Sequence, residues 1–208
     1  MVGGTVRAHD LLWITEDSEL FPEAQPAWVR DALSRMPVVV ARRAEAPPGF
    51  AAVGIRGRSR ELRFAALVKL SDIRNLRTPE SLASERGWRE NHAGLPAGVR
   101  EALALFDELS GREEFVWGPA GSVGYQLATG LPVTTDESDL DVLIRCDVLP
   151  DRLLLSSVRD LAKKSSARFD VILEGPPGAV ALEELHSHDV LLKTSQGPRI
   201  ATFSWQKP

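Results

Sequence analysis

The chain has 208 residues, 43% hydrophobic and 26% charged, enough to bury a core as one large domain or two small ones. A formal net charge of −4 argues against a general nucleic-acid binder, and a single cysteine, Cys146, rules out a disulfide framework within the chain. No apolar run approaches the ~20 residues of a membrane span, and the opening MVGGTVRAHD lacks the apolar core of a signal peptide. The expectation is a reduced, cytoplasmic protein with neither nucleic acid nor membrane as partner.

Residues 9–76 read as a small α+β unit. PAWVRDALSRM (26–36) puts proline at a first helical position, with Trp28, Val29, Leu33 and Met36 on one face. VVVA (38–41) is a β-branched strand. FAAVGIRG (50–57) and LRFAALVKL (62–70) flank GRSRE and predict a hairpin. From Arg42 to Arg77 there are nine Lys/Arg against three acids, and Arg56, Arg58 and Arg60 cluster at the hairpin turn. Such a patch either meets an anionic partner or is a solvated strand face.

TPESLASERGWRE (78–90) opens a helix with Thr78 as cap and Pro79 at the first helical position. VREALALFDELSG (99–111) is a second helix, with Gly111 where a C-cap belongs. The domains are accordingly taken as 1–85 and 86–208. Beyond this the pattern alternates. FVW (115–117), DLDVLIRC (139–146), ARFDVILE (167–174) and DVLLKTS (189–195) are strands. SVGYQLA (122–128), PDRLLLSSVRDLAKK (150–164) and AVALEELHS (179–187) are helices. The fold class is α+β: a small N-terminal α+β domain, then an α/β domain with a small mixed sheet.

The glycines at 118, 121 and 124 allow several phosphate-binding designs. A P-loop needs a lysine after its glycines, and none lies between Gly118 and Cys146. A dinucleotide fingerprint places its acid at the end of the second strand. Here Asp139 and Asp141 come first, and Val142, Leu143 and Ile144 follow. A calcium loop starting at Asp136 would put Leu140 and Asp141 at its fifth and sixth positions, where an oxygen ligand and a glycine are required.

The order of residues fits metal-dependent nucleotidyl transfer. Asp139 and Asp141, two apart on a strand, point to one face, and Leu140, Val142 and Ile144 to the other. Two adjacent carboxylates repel unless a cation neutralises them, and Mg²⁺ prefers such hard oxygen ligands and shares them with phosphates. Two such ions would activate the attacking oxygen and stabilise pyrophosphate. Gly121 lets backbone approach a phosphate, and Ser122 begins a helix whose N-terminus favours an anion. Asp170, mid-strand among apolar neighbours where an unpaired charge is costly, is the candidate third carboxylate. Taken singly, each feature also has a structural explanation: a D-x-D pair at a solvated strand end, a serine that caps a helix, an acid on an edge strand. The histidines (His9, His92, His186, His188) show no ligand spacing tied to these acids.

Gly121-Ser122, Asp139-Leu140-Asp141 and Asp170 together resemble the signature of the polymerase-β-type nucleotidyltransferase superfamily. The longer stretches WGPAGSVGYQLATGLPVTTDESDLDVLI, RFDVILEGPPGAVALEEL and VLLKTSQGPR, with HDLLWI, VVVARR and VGIRGRSRELRFAALV upstream, resemble the malonate decarboxylase holo-acyl-carrier-protein synthases, which are phosphoribosyl-dephospho-CoA transferases. The resemblance covers most of the chain. It implies transfer of 2′-(5″-phosphoribosyl)-3′-dephospho-CoA from 2′-(5″-triphosphoribosyl)-3′-dephospho-CoA to a serine of the acyl-carrier subunit of malonate decarboxylase, with release of pyrophosphate. It also implies Mg²⁺ on Asp139 and Asp141, the triphosphate at Gly121 and Ser122, and Asp170 as third ligand or as base. Arg56, Arg58, Arg60 and Arg63 would then meet the precursor's phosphates or an acidic carrier surface. The alternatives are another nucleotidyltransferase, such as an adenylyltransferase, or a noncatalytic module of the same fold.

Overall fold

The computed structural model describes residues 5–59, 61–90, 94–113 and 115–202. Among them are five α-helices and twelve strands in two six-stranded sheets, a mixed α+β fold. Arg60 and His92 lie outside the described residues. The chain forms two compact units, Met1–Thr78 and Pro79–Pro208.

The N-terminal unit contains β1 (Leu11–Ile14), β2 (Leu20–Phe21), α1 (Ala27–Arg35), β3 (Val38–Ala41), β4 (Phe50–Arg56), β5 (Arg63–Lys69) and β6 (Ile73–Arg77). The strands form an antiparallel sheet in the order β2-β5-β4-β3-β1-β6. Its core joins Leu12, Val39, Val53, Ile55 and Val68 to Val29 of α1. The predicted hairpin is present, with Arg56 directly opposite Arg63. Gly57 and Leu62 close its turn, where Gly57 N–H donates to the Leu62 carbonyl (2.8 Å). β1 and β6 lie beyond the predicted elements: they are short, and their pairing partners are distant in sequence.

The C-terminal unit runs α2 (Pro79–Glu85), α3 (Ala97–Glu113), β7 (Trp117–Pro119), α4 (Gly121–Thr129), β8 (Leu140–Arg145), α5 (Arg152–Lys164), β9 (Phe169–Gly175), β10 (Gly178–Ala181), β11 (Asp189–Thr194) and β12 (Gly197–Thr202). The sheet order is β12-β11-β10-β9-β8-β7, and only β8 and β9 are parallel. That parallel pair requires a crossover, which α5 supplies. α5 is capped by Asp151, whose carboxylate accepts from Leu154 N–H (2.8 Å), and ends on Lys163 and Lys164. One face of the sheet buries Leu140, Val142, Ile144, Val171 and Leu173 against Val99, Leu103 and Phe106 of α3 and Leu155 and Val158 of α5.

Two elements differ from expectation. Gly111 does not end α3, which continues to Glu113. Helical glycine costs about 1 kcal/mol relative to alanine. The turn is held by tertiary contacts instead: Leu109 is buried, and Trp117 Nε1–H donates to Ser110 Oγ (2.9 Å). Residues 179–187 are not one helix but β10 followed by a 3₁₀ turn, Leu182–His186. Ala179 and Val180 are both fully buried, and β10 pairs antiparallel with β9 from Gly178↔Gly175 to Ala181↔Ile172. A short apolar run cannot be told apart as helix or strand by its period.

Candidate active site

β8 begins where the acids are. Leu140 N–H donates to the Arg168 carbonyl (2.8 Å), so Asp139 stands beside Arg168 at the mouth of the parallel pair. The register then places Asp141 opposite Asp170, Leu143 opposite Ile172 and Arg145 opposite Glu174. Register partners project to the same face. Asp141 and Asp170, 29 positions apart in sequence, are therefore neighbours on the face away from the α3–α5 core.

Helix α4 brings the glycine turn to that face. Ala120 N–H donates to the Asp141 carbonyl (2.8 Å), which ties the start of α4 to β8. Gly121 has φ +56, and a Cβ there would lie 1.7 Å from Asp141 Oδ2. Only glycine allows the carboxylate to sit there. The helix starts at Gly121, one residue before Ser122, which is half-buried in its first turn. Its N-cap residue is Ala120, whose methyl group cannot accept a hydrogen bond. The first-turn amides and the positive end of the helix dipole thus face the carboxylate side of the sheet. Gly118 and Gly124 serve packing rather than a ligand: Cβ atoms there would meet the Pro79 backbone at 2.0 Å and the Pro119 carbonyl oxygen at 2.5 Å.

Asp139 is 25% exposed, and its Oδ1 accepts from Arg168 Nε (2.7 Å) and Nη2 (2.6 Å). Arg168 itself is 80% exposed. Asp139 faces this guanidinium, and among the described residues no three Asp, Glu, His or Cys side chains converge on a point that could hold a metal ion. Asp170 is exposed, which corrects the desolvation argument for it. Its neighbours in sequence are apolar, but its own side of β9 meets solvent, and the register with Asp141 is what places it at the site. The donors on this face are carboxylate oxygens, which suit a hard divalent cation. Asp139 would have to exchange Arg168 for the ion before all three acids could act on it.

The far end of the same face is closed. Arg145 is 9% exposed; Nη1 donates to both oxygens of Glu80 (2.6 and 2.8 Å) and Nε to Glu174 Oε2 (2.9 Å). Sequence reasoning missed this clamp because its carboxylates lie 65 and 29 positions away. Cys146, just past β8, has its thiol pushed up to about 11, by burial first and Asp147 second, which fits an inert cysteine. In the N-terminal unit Arg58 is exposed at the hairpin turn and Arg56 is half-buried at the end of β4. A cleft of about 490 Å³ in that unit is lined by Arg7, Arg42, Phe50 and Leu70 among others, and by none of the predicted site residues. No helix among the described residues is long and apolar enough to cross a membrane.

Comparison with known proteins covers both units. Residues 7–79 match the family model described as phosphoribosyl-dephospho-CoA transferase MdcG N-terminal domain, and residues 81–203 the corresponding C-terminal domain. A phosphoribosyl-dephospho-CoA transferase of Pseudomonas putida is 40% identical over 96% of this chain and 95% of its own length. One from Azotobacter vinelandii is 39% identical over 96% and 94%. One from Klebsiella pneumoniae is 35% identical over 99% of each. No solved structure matches the chain.

Proposed function

The chain belongs to the phosphoribosyl-dephospho-CoA transferase family, whose models match it along nearly its whole length, and from that premise we propose that it loads the prosthetic group of malonate decarboxylase in the cytoplasm. It transfers 2′-(5″-phosphoribosyl)-3′-dephospho-CoA from 2′-(5″-triphosphoribosyl)-3′-dephospho-CoA to a serine of the acyl-carrier subunit. The serine Oγ attacks the α-phosphorus of the triphosphate. The new P–O bond forms as the bond to the β-phosphate's bridging oxygen breaks, pyrophosphate leaves, and the serine proton passes to a carboxylate.

The observation that carries this reading is the meeting of the α4 N-terminus with Asp141 at Gly121. An anion-binding helix end and a cation-binding carboxylate in direct contact suit a magnesium-bound triphosphate. The amides of Gly121 and Ser122 hold the phosphates. Asp139 and Asp141 hold Mg²⁺, which when bound neutralises the charge on the phosphate oxygens and the departing pyrophosphate. Asp170, the exposed acid in register with Asp141, completes the ligand set or takes the serine proton. Arg168, released from Asp139, stays beside the site as a cation for the phosphates. The N-terminal domain supplies Arg56, Arg58 and Arg60 to the precursor's phosphates or to an acidic carrier surface.

The test is the intact mass of the apo-carrier protein after incubation with this protein, the triphosphate precursor and Mg²⁺. The expected result is a gain equal to the phosphoribosyl-dephospho-CoA group, dependent on Mg²⁺. An adenylyl-sized gain with ATP in place of the precursor would overturn it in favour of adenylyl transfer. No gain with either would leave a binding module.

A further inference from the structure

The loop between α4 and β8 is longer than a helix–strand connection needs, and one buried side chain organises it. Gln126 is 1% exposed. Its Oε1 accepts three hydrogen bonds: from Val133 N–H (2.7 Å), Thr134 N–H (2.7 Å) and Thr134 Oγ1 (2.8 Å). Two of these donors are backbone amides, which can only donate, so the amide oxygen must face them. The backbone of the same residue also closes the helix, since Gly130 N–H donates to the Gln126 carbonyl (2.8 Å) with Gly130 at φ +73.

From Thr134 the path to Asp139 is short and internally tied. Thr135 N–H donates to Ser138 Oγ (2.9 Å), and Ser138 N–H donates back to the Thr135 carbonyl (2.9 Å). The next residue is Asp139, and Leu140 N–H is already committed to the Arg168 carbonyl. The strand therefore fixes Asp139 from one side only. On the other side its position is inherited through a closed four-residue turn from the anchor at Gln126.

We propose that Gln126 is a positioning residue for Asp139: by holding Val133 and Thr134 it sets where the Asp139 carboxylate stands and so how readily it exchanges Arg168 for a divalent cation. This rests on the reading of Asp139 as a metal ligand. A buried amide that receives three donors is a stiff support; a side chain bonded directly to a metal ligand is worth about 10–100-fold in metal affinity or activity, and Gln126, which acts on Asp139 through the intervening turn, belongs at the lower end of that range.

The experiment compares Gln126→Met, which keeps the bulk and loses the acceptor, with Gln126→Glu, which keeps an acceptor oxygen, in the full chain. Amide hydrogen exchange at Val133 and Thr134 reports the anchor, and Mn²⁺ titration by electron paramagnetic resonance reports the site without turnover. In Gln126→Met both amides should exchange faster, Mn²⁺ should bind about 10-fold more weakly, and kcat should fall with little change in KM for the precursor. Gln126→Glu should restore all three towards wild type. Unchanged exchange at Val133 and Thr134, or faster exchange with wild-type Mn²⁺ affinity, overturns the proposal. If Gln126→Met does not fold, Thr134→Val removes one donor alone and should shift exchange and Mn²⁺ affinity in the same direction; no shift overturns it. Asp139→Ala with undiminished Mn²⁺ binding would instead overturn the metal reading on which the proposal stands.

Discussion

Gly121 and Asp141 share a space that admits only one Cβ: built on Gly121, that atom falls 1.7 Å from Asp141 Oδ2. The left-handed φ of +56 adds a second reason for glycine. Gly121→Ala must therefore displace the carboxylate, the helix start or both. Misplacement of this order at a reacting centre costs about 10²-fold in rate. Initial rates of carrier mass gain should show that loss, whereas circular dichroism should show the fold retained. Wild-type rates would mean that Asp141 works from another position.

Asp139→Ala and Asp141→Ala should each abolish Mg²⁺-dependent transfer while leaving the melting transition close to wild type. Neither residue is fully buried, and the exposed Asp139–Arg168 pair contributes little to stability. Full activity in either variant would remove that residue from the metal site.

Arg168 and Asp139 form an ion pair whose cation is 80% exposed. Such a pair contributes little to stability, ~0–1 kcal/mol. It does occupy a carboxylate that a metal ion would need. Arg168→Ala should leave urea stability nearly unchanged and tighten Mn²⁺ binding several-fold at equilibrium. Turnover should fall nonetheless, because a cation beside the phosphates is lost. Weaker Mn²⁺ binding in this variant would show that Arg168 does not compete for Asp139.

Arg145 is the opposite case. It is nearly buried between Glu80 and Glu174, and its removal takes a shared guanidinium away from both carboxylates. Breaking a buried pair from one side costs about 3–5 kcal/mol. Arg145→Met should lower the unfolding free energy read from urea titration by that amount, with a correspondingly lower midpoint. Arg145→Lys should recover only part of it, because a lysine ammonium cannot bridge both acids as a guanidinium does.

Arg58 is exposed at the tip of the basic hairpin, so Arg58→Glu should fold normally. If the hairpin meets an anion, the variant should raise KM for the precursor or for the carrier, with a weaker dependence on salt than wild type. Unchanged KM for both ligands would leave the patch as a solvated strand face.

Much of the local structure was legible in the chain itself. Alternation and β-branched runs mark β3, β4, β5 and β8, and the order of acid and apolar residues at 139–144 separates a strand that starts at a charge from one that ends at it. Those are properties of neighbours along the backbone, where period and turn chemistry act directly. Where local preference was weak or divided, tertiary contacts decided: Gly111 stays helical because Leu109 and Ser110 are held, and Ala179–Val180 become strand because β9 is there to pair with them.

The relations within the candidate site were not legible. That Asp141 lies opposite Asp170 depends on the register of a parallel pair joined through α5. That Asp139 faces Arg168, that Glu80 reaches Arg145 across 65 positions, and that Gln126 holds Thr134 depend equally on which segments the fold brings side by side. Local pattern along the chain marked Gly121, Asp141 and Asp170 as candidates and placed them on a helix start and two strands. Which of them meet was set by the fold, because hydrogen-bond register and side-chain contact act through space, and the partners here lie from 8 to 65 positions apart in the chain.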